Sequence, residues 1–113
     1  MQELIDKIRQ FNQDRDWDQF HDCKSLSMAL MSEAGELGSI LRWIPQDQAD
    51  AFAKERIEEV SAEVADVFWL LIQLSDRLGI DLIEATKHKI DQTAQRYPIE
   101  KAKASPLSYK ELE

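Results

Sequence analysis

At 113 residues the chain has the length of one domain, with a single hydrophobic core and little to spare. Its net charge of −8 speaks against unaided binding to nucleic acid or anionic membrane. The composition is 43% hydrophobic and 32% charged with only three Gly and three Pro and no low-complexity tract, which fits helices joined by short connections.

Leu4, Ile5, Ile8 and Phe11 recur at the helical period and predict a first amphipathic helix that ends before Asp14-Arg15-Asp16-Trp17. Its interspersed charges do not resemble a signal peptide. A second helix is predicted over 25–43, with Asp22 or Ser25 as its N-cap and Pro45 enforcing the stop. After a loop at 45–48, a long third helix is predicted over 49–78, with a break expected near its start and Gly79 as the left-handed C-terminal cap. Asp81 with Glu84 is the N-terminal signature of a fourth helix ending near Tyr97, before Pro98. No segment sustains a period of two. The expected fold class is all-α, a four-helix bundle over 1–98, with 99–113 as a C-terminal tail carrying Ser105-Pro106-Leu107. The longest apolar run, 67–72, is too short to span a bilayer. Cys23 stands alone, so no intrachain disulfide forms, and a cytoplasmic location is expected.

Two carboxylate pairs interrupt the two most apolar helices: Glu33-Ala-Gly-Glu36 and Glu63-Val-Ala-Asp66. A three-residue step puts each pair on one side of its helix, one turn apart. Leu26, Ala29, Leu30, Leu37, Ile40 and Ile44 all lie within about 60° of Glu33, which therefore sits at the centre of the core-facing stripe. An acid there takes up a proton, finds a cation or costs several kcal/mol. On the third helix Ile57, Val60, Val64, Val67, Leu71, Leu74 and Leu78 form the expected stripe, with Glu63 bordering it and Asp66 one step further round. Taken singly these acids read as rim residues, and Glu33 as half of an internal salt bridge to Arg42 or Lys89. Four together read as an all-oxygen site for Mg²⁺, with Mn²⁺ as a substitute. Di-iron carboxylate sites need an i, i+3 histidine, and His21 and His88 lie outside both motifs. Mg²⁺ held this way commonly meets a substrate phosphate.

The motif E-x-x-E, a spacer of 26 residues (37–62), then E-x-x-D resembles the MazG-like all-α nucleoside triphosphate pyrophosphohydrolases. The surrounding residues, Arg15-Asp16-Trp17-Asp18-Gln19-Phe20-His21, Ala29 to Leu37, Trp43, Asp81-Leu82 and Arg96-Tyr97-Pro98, resemble the dCTP pyrophosphatase branch over roughly residues 3–98. The resemblance implies hydrolysis of a nucleoside triphosphate to monophosphate and pyrophosphate, in the service of nucleotide house-cleaning. It also implies metal ligation by Glu33, Glu36, Glu63 and Asp66. Trp17, His21 and Trp43 would belong to the nucleotide pocket, Trp43 because it shares Glu36's side of the helix. Lys89, Thr93 and Arg96 on the fourth helix would bind substrate. Glu36, at the rim of the stripe, is the expected general base. Against dCTP-hydrolysing relatives, Thr93 stands where Asn is expected and Leu70 where Tyr is expected, so the chemistry is better supported than the base preference.

Residues 67–72 are apolar on every side of their helix, which predicts a homodimer or homotetramer that covers Trp69. The competing readings are a non-catalytic oligomerisation module with a structural cation, and a dUTP or phosphoribosyl-ATP specificity on the same scaffold.

Overall fold

The computed structural model describes residues 1–107, 110 and 111, and every regular element among them is helical. Helices α1 (Gln2–Asp14), α2 (Cys23–Leu41), α3 (Ala49–Glu55), α4 (Ile57–Leu78), α5 (Leu82–Arg96) and α6 (Ile99–Ala102) follow in order, with 3₁₀ turns at Asp18–Phe20 and Gln46–Gln48. The chain divides into two compact units, Met1–Gly79 and Ile80–Glu113. Among the described residues no helix is long and apolar enough to cross a membrane.

Local chemistry sets the boundaries. The cap of α2 is Asp22, whose extended backbone lets its carboxylate accept the Lys24 N–H at 3.0 Å and the Ser25 N–H at 3.1 Å. The helix therefore begins two residues before the predicted start at 25. Bonding to Ser25 also holds the Asp22 carboxyl below its ordinary pKa. The predicted break in the third helix falls at Arg56, which leaves helical geometry at φ −112° and ψ 34° and separates α3 from α4. Gly79 closes α4 in the left-handed conformation, φ 69°, and Asp81 accepts the Glu84 N–H at 3.1 Å to open α5.

In the first unit, α2 and α4 run antiparallel. Leu26 near the start of α2 shares a small cavity with Gln73 and Asp76 near the end of α4, while Glu36 meets Glu63 further along. The sheltered line of α2 is the predicted one, Leu26, Ala29, Leu30, Glu33, Leu37 and Ile40, continued by Ile44 in the turn beyond the helix. On α4 the predicted stripe is displaced. Val60, Glu63, Val67, Leu70 and Leu74 are sheltered, whereas Ile57, Val64 and Leu78 are exposed. The reason is that α4 serves two partners, so its apolar residues do not centre on a single stripe. Its other side meets α1, where Phe11 lies edge-on to Trp69 with ring centroids 5.1 Å apart. Two polar links fix that crossing. Buried Asn12 donates to Gln73 Oε1 at 2.7 Å, and Arg9 grips Asp76 with two hydrogen bonds, through Nε at 2.9 Å and through Nη2. The guanidinium holds the Asp76 carboxyl below its usual range.

Replacing Gly79 by Ala should destabilise the chain by about 1 kcal/mol in urea unfolding. Nothing lies within 4 Å of the added Cβ, so the whole effect comes from the left-handed backbone. Gly79→Asn should lose less, since Asn tolerates that conformation.

Candidate metal centre

The α2–α4 pairing brings Glu33, Glu36 and Glu63 together: each offers one carboxylate oxygen, and these atoms all lie within 4.8 Å of one another. Glu33 and Glu63 are half-buried and Glu36 is exposed. The displaced stripe explains the convergence. Glu63 occupies the sheltered line between Val60 and Val67, facing the line that carries Glu33, instead of bordering it. Asp66 remains exposed outside the trio, although its charge acts on both Glu33 and Glu63.

Glu33 Oε2 and Glu63 Oε2 are buried without a hydrogen-bond partner among the described residues. The alternative of an internal pair between Glu33 and Arg42 does not form: no basic group of this unit lies within 4.0 Å of the trio, and its ion pairs are Arg9 with Asp6 and Asp76, and Arg56 with Glu59. The electrostatics register the strain. The Glu33 carboxyl is pushed above its ordinary pKa, first by the hydrogen bonding that the neighbouring Glu36 carboxylate offers its protonated form, then by burial and by the charges of Glu36, Asp66 and Glu63. Glu63 is pushed up chiefly by burial, then by Glu36 and Asp66. Clustered hard oxygens, two of them orphaned, fit a divalent cation such as Mg²⁺.

The aromatic residues expected in the nucleotide pocket lie at the two ends of α2. Trp17 and His21 precede it, with rings 6.5 Å apart. His21 Nδ1 is buried and unpartnered among the described residues, beside a cavity of about 60 Å³ that Asn12, Gln73, Asp76 and Arg77 also line. Glu33 stands eleven residues beyond Asp22, roughly 16 Å along the helix. Trp43 follows the other end of α2 and is 80% exposed. Lys89, Thr93 and Arg96 lie in the second unit, exposed and on one face of α5. Phe11, which its helical period marks only as a core residue, proves to link Trp17 to Trp69, with centroids 5.7 and 5.1 Å away.

A MazG-like family model matches residues 39–112. The chain is 35% identical to dCTP pyrophosphatase 1 of Mus musculus over 106 residues and 32% identical to that of Homo sapiens over 105, in each case 91% of this chain. It spans 62% of the length of these relatives. The crystal structure of a pyrophosphatase from Archaeoglobus fulgidus superposes with a TM-score of 0.84 at 35% identity, covering 87% of this chain and 92% of that one.

Glu33→Gln should raise the melting temperature of the protein in EDTA and abolish its rise on adding Mg²⁺. The sign follows from the raised carboxyl values. The folded state holds protons that the unfolded chain releases, so this part of the stability is full below the ordinary carboxylate pKa and is lost as pH climbs through the raised one. The thermal advantage of Glu33→Gln over the parent should therefore be larger at pH 8 than at pH 5. Equal Mg²⁺-induced shifts in both proteins would remove Glu33 from the metal centre.

Proposed function

Because the chain belongs to the MazG-like family, we propose that it hydrolyses a deoxynucleoside triphosphate, dCTP or a close relative, to the monophosphate and pyrophosphate with Mg²⁺ as cofactor. The observation that carries this reading is the convergence of Glu33, Glu36 and Glu63 with two orphaned carboxylate oxygens. With Asp66 beside them, these residues would hold Mg²⁺, which when bound neutralises triphosphate charge and makes a water more acidic. The protein's own part is division of labour among carboxylates. Glu33 and Glu63, sheltered between helices, are ligands held in fixed orientation by the packed helices. Glu36 is exposed and one turn from Glu33, free to take the proton of the attacking water as the bridge between the α- and β-phosphorus breaks. Trp43 offers a stacking face for the base, with Trp17 and His21 as further pocket residues, and Lys89, Thr93 and Arg96 bind the substrate from α5. Removal of unwanted nucleotides in the cytoplasm is the role consistent with that chemistry.

The reading includes a four-helix bundle over 1–98, followed by a tail over 99–113, completed as a homodimer or homotetramer. Its support is the apolar groove of about 300 Å³ between α1 and α4, walled by Leu4, Ile8, Phe11, Phe68, Trp69 and Ile72. This groove lies on the side of α4 away from Glu63, so a second copy can cover it and leave the carboxylates open.

Incubated with Mg²⁺ and each common deoxynucleoside triphosphate, the protein should release pyrophosphate and no orthophosphate from at least one. Glu33→Gln and Asp66→Asn should each lower turnover on the order of 100-fold or more, since a bound cation supplies several kcal/mol of transition-state stabilisation. Full activity in EDTA would falsify the metal assignment. Light scattering at micromolar concentration should give at least twice the 13.1 kDa chain mass, and Trp69→Glu should produce monomer or aggregate. A well-folded 13.1 kDa species from the unmodified chain would end the oligomer reading.

A further inference from the structure

Among the described residues Arg15, Arg42 and Arg56 lie over aromatic rings. Arg15 is 3.8 Å from the Phe11 centroid and also donates to the Phe11 carbonyl at 3.0 Å. Arg56 is 4.6 Å from Phe52 and is paired with Glu59 at 3.7 Å. Both rings are half-buried, so these stacks cover core edges. The third stack differs in each respect. Arg42 lies 4.9 Å over Trp43, whose side chain is the most exposed of the large apolar ones among the described residues. Among the described residues no acidic group stands within 4.0 Å of its guanidinium, although the chain carries 22 Asp and Glu.

The stack also depends on a particular backbone. Neighbouring side chains on a helix diverge by about 100°, so residues i and i+1 do not normally face each other. Here α2 ends at Leu41, Arg42 keeps helical angles of φ −58° and ψ −29°, and the Ile44 N–H closes a turn onto the Leu41 carbonyl at 2.9 Å. The turn brings the guanidinium across the indole. Its charge also complements the negative end of α2.

We propose that Arg42 is a positioning residue for the nucleotide: its guanidinium occupies one face of the Trp43 indole, leaving the opposite face as the platform on which the base stacks. This rests on the function proposed above, with Trp43 as the base-stacking residue. An indole with so little around it would otherwise sample several rotamers, and binding would have to freeze them. The arginine restricts them beforehand and makes the platform one-sided. Arg suits the task because its planar, permanently charged group stacks on aromatic faces.

The test is a double-mutant cycle on full-length protein. It is read by pyrophosphate release from the common deoxynucleoside triphosphate that the parent hydrolyses best, and by binding of the α,β-imido analogue of that nucleotide with Mg²⁺. Arg42→Ala should raise both KM and the analogue's Kd about two- to five-fold, as expected for an exposed cation–π contact, with kcat unchanged. Arg42→Lys should fall between the parent and Arg42→Ala. In a Trp43→Ala background, itself raised in KM, Arg42→Ala should add nothing. The Trp43 indole N–H resonance, identified by its loss in Trp43→Phe, should move in Arg42→Ala before nucleotide is added. An Arg42→Ala effect that persists without Trp43 overturns the proposal, because the guanidinium then acts on the substrate directly. Unchanged KM and Kd in Arg42→Ala, with normal pyrophosphate release, overturns it while sparing the proposed function. A parent chain that releases pyrophosphate from none of the common deoxynucleoside triphosphates overturns both.

Discussion

Like charge is concentrated where two helices must pack. Glu33 and Glu63 occupy core-facing positions on α2 and α4, places where aliphatic side chains would hold the interface without penalty. The Glu33 carboxyl is pushed toward the protonated form first by Glu36 and then by burial, and that of Glu63 chiefly by burial and then by Glu36 and Asp66, so the pairing is opposed at the point where the acids meet. The helices stay together because the same two lines carry Leu26, Leu30, Leu37 and Ile40 on α2 and Val60, Val67, Leu70 and Leu74 on α4. The apolar residues hold the backbone, and the acids between them are positioned with their repulsion unrelieved. A divalent cation would invert that balance, turning a local weakness into a binding site.

The remaining contacts of α4 keep this interface in register. Its side toward α1 carries Trp69 against Phe11, the buried amide pair of Asn12 and Gln73, and the doubly hydrogen-bonded Arg9–Asp76 pair. Directional polar links of this kind tolerate little sliding or rotation, whereas apolar packing alone accepts several registers. Rotation of α4 about its axis by one residue would carry Glu63 off the line it shares with Glu33. The α1 contacts thus act on the carboxylate cluster from the far side of the helix. The same arrangement accounts for part of the apolarity of residues 67–72, since Val67 and Leu70 lie on the line toward α2 and Trp69 meets α1, while Phe68 stays exposed.

Much of this was legible in the sequence because it is local. The helices, the left-handed turn at Gly79 and the Asp81–Glu84 cap follow from propensities and side-chain bonds within a few residues. The three-residue spacing of each acid pair and the core position of Glu33 follow from helical period alone. Ser25 and Asp22 were harder to separate as caps because both offer an oxygen at the right place, and the extended backbone at Asp22 decides between them. The sheltered stripe on α4 departs from the periodic one for a related reason. With apolar residues all around the helix, periodicity does not define its facing side.

By itself, then, the sequence determined an all-helical chain with two helix-borne carboxylate pairs, because i to i+3 geometry is a property of any helix that forms. Only the tertiary structure decided which acids converge, bringing Glu63 into the trio with Glu33 and Glu36 while leaving Asp66 outside. It alone laid Arg42 across the Trp43 indole. The physical reason is that convergence depends on how each helix is rotated about its own axis and where its last turn unwinds. Those two quantities are fixed by packing between segments far apart in the chain, where the local pattern carries no information.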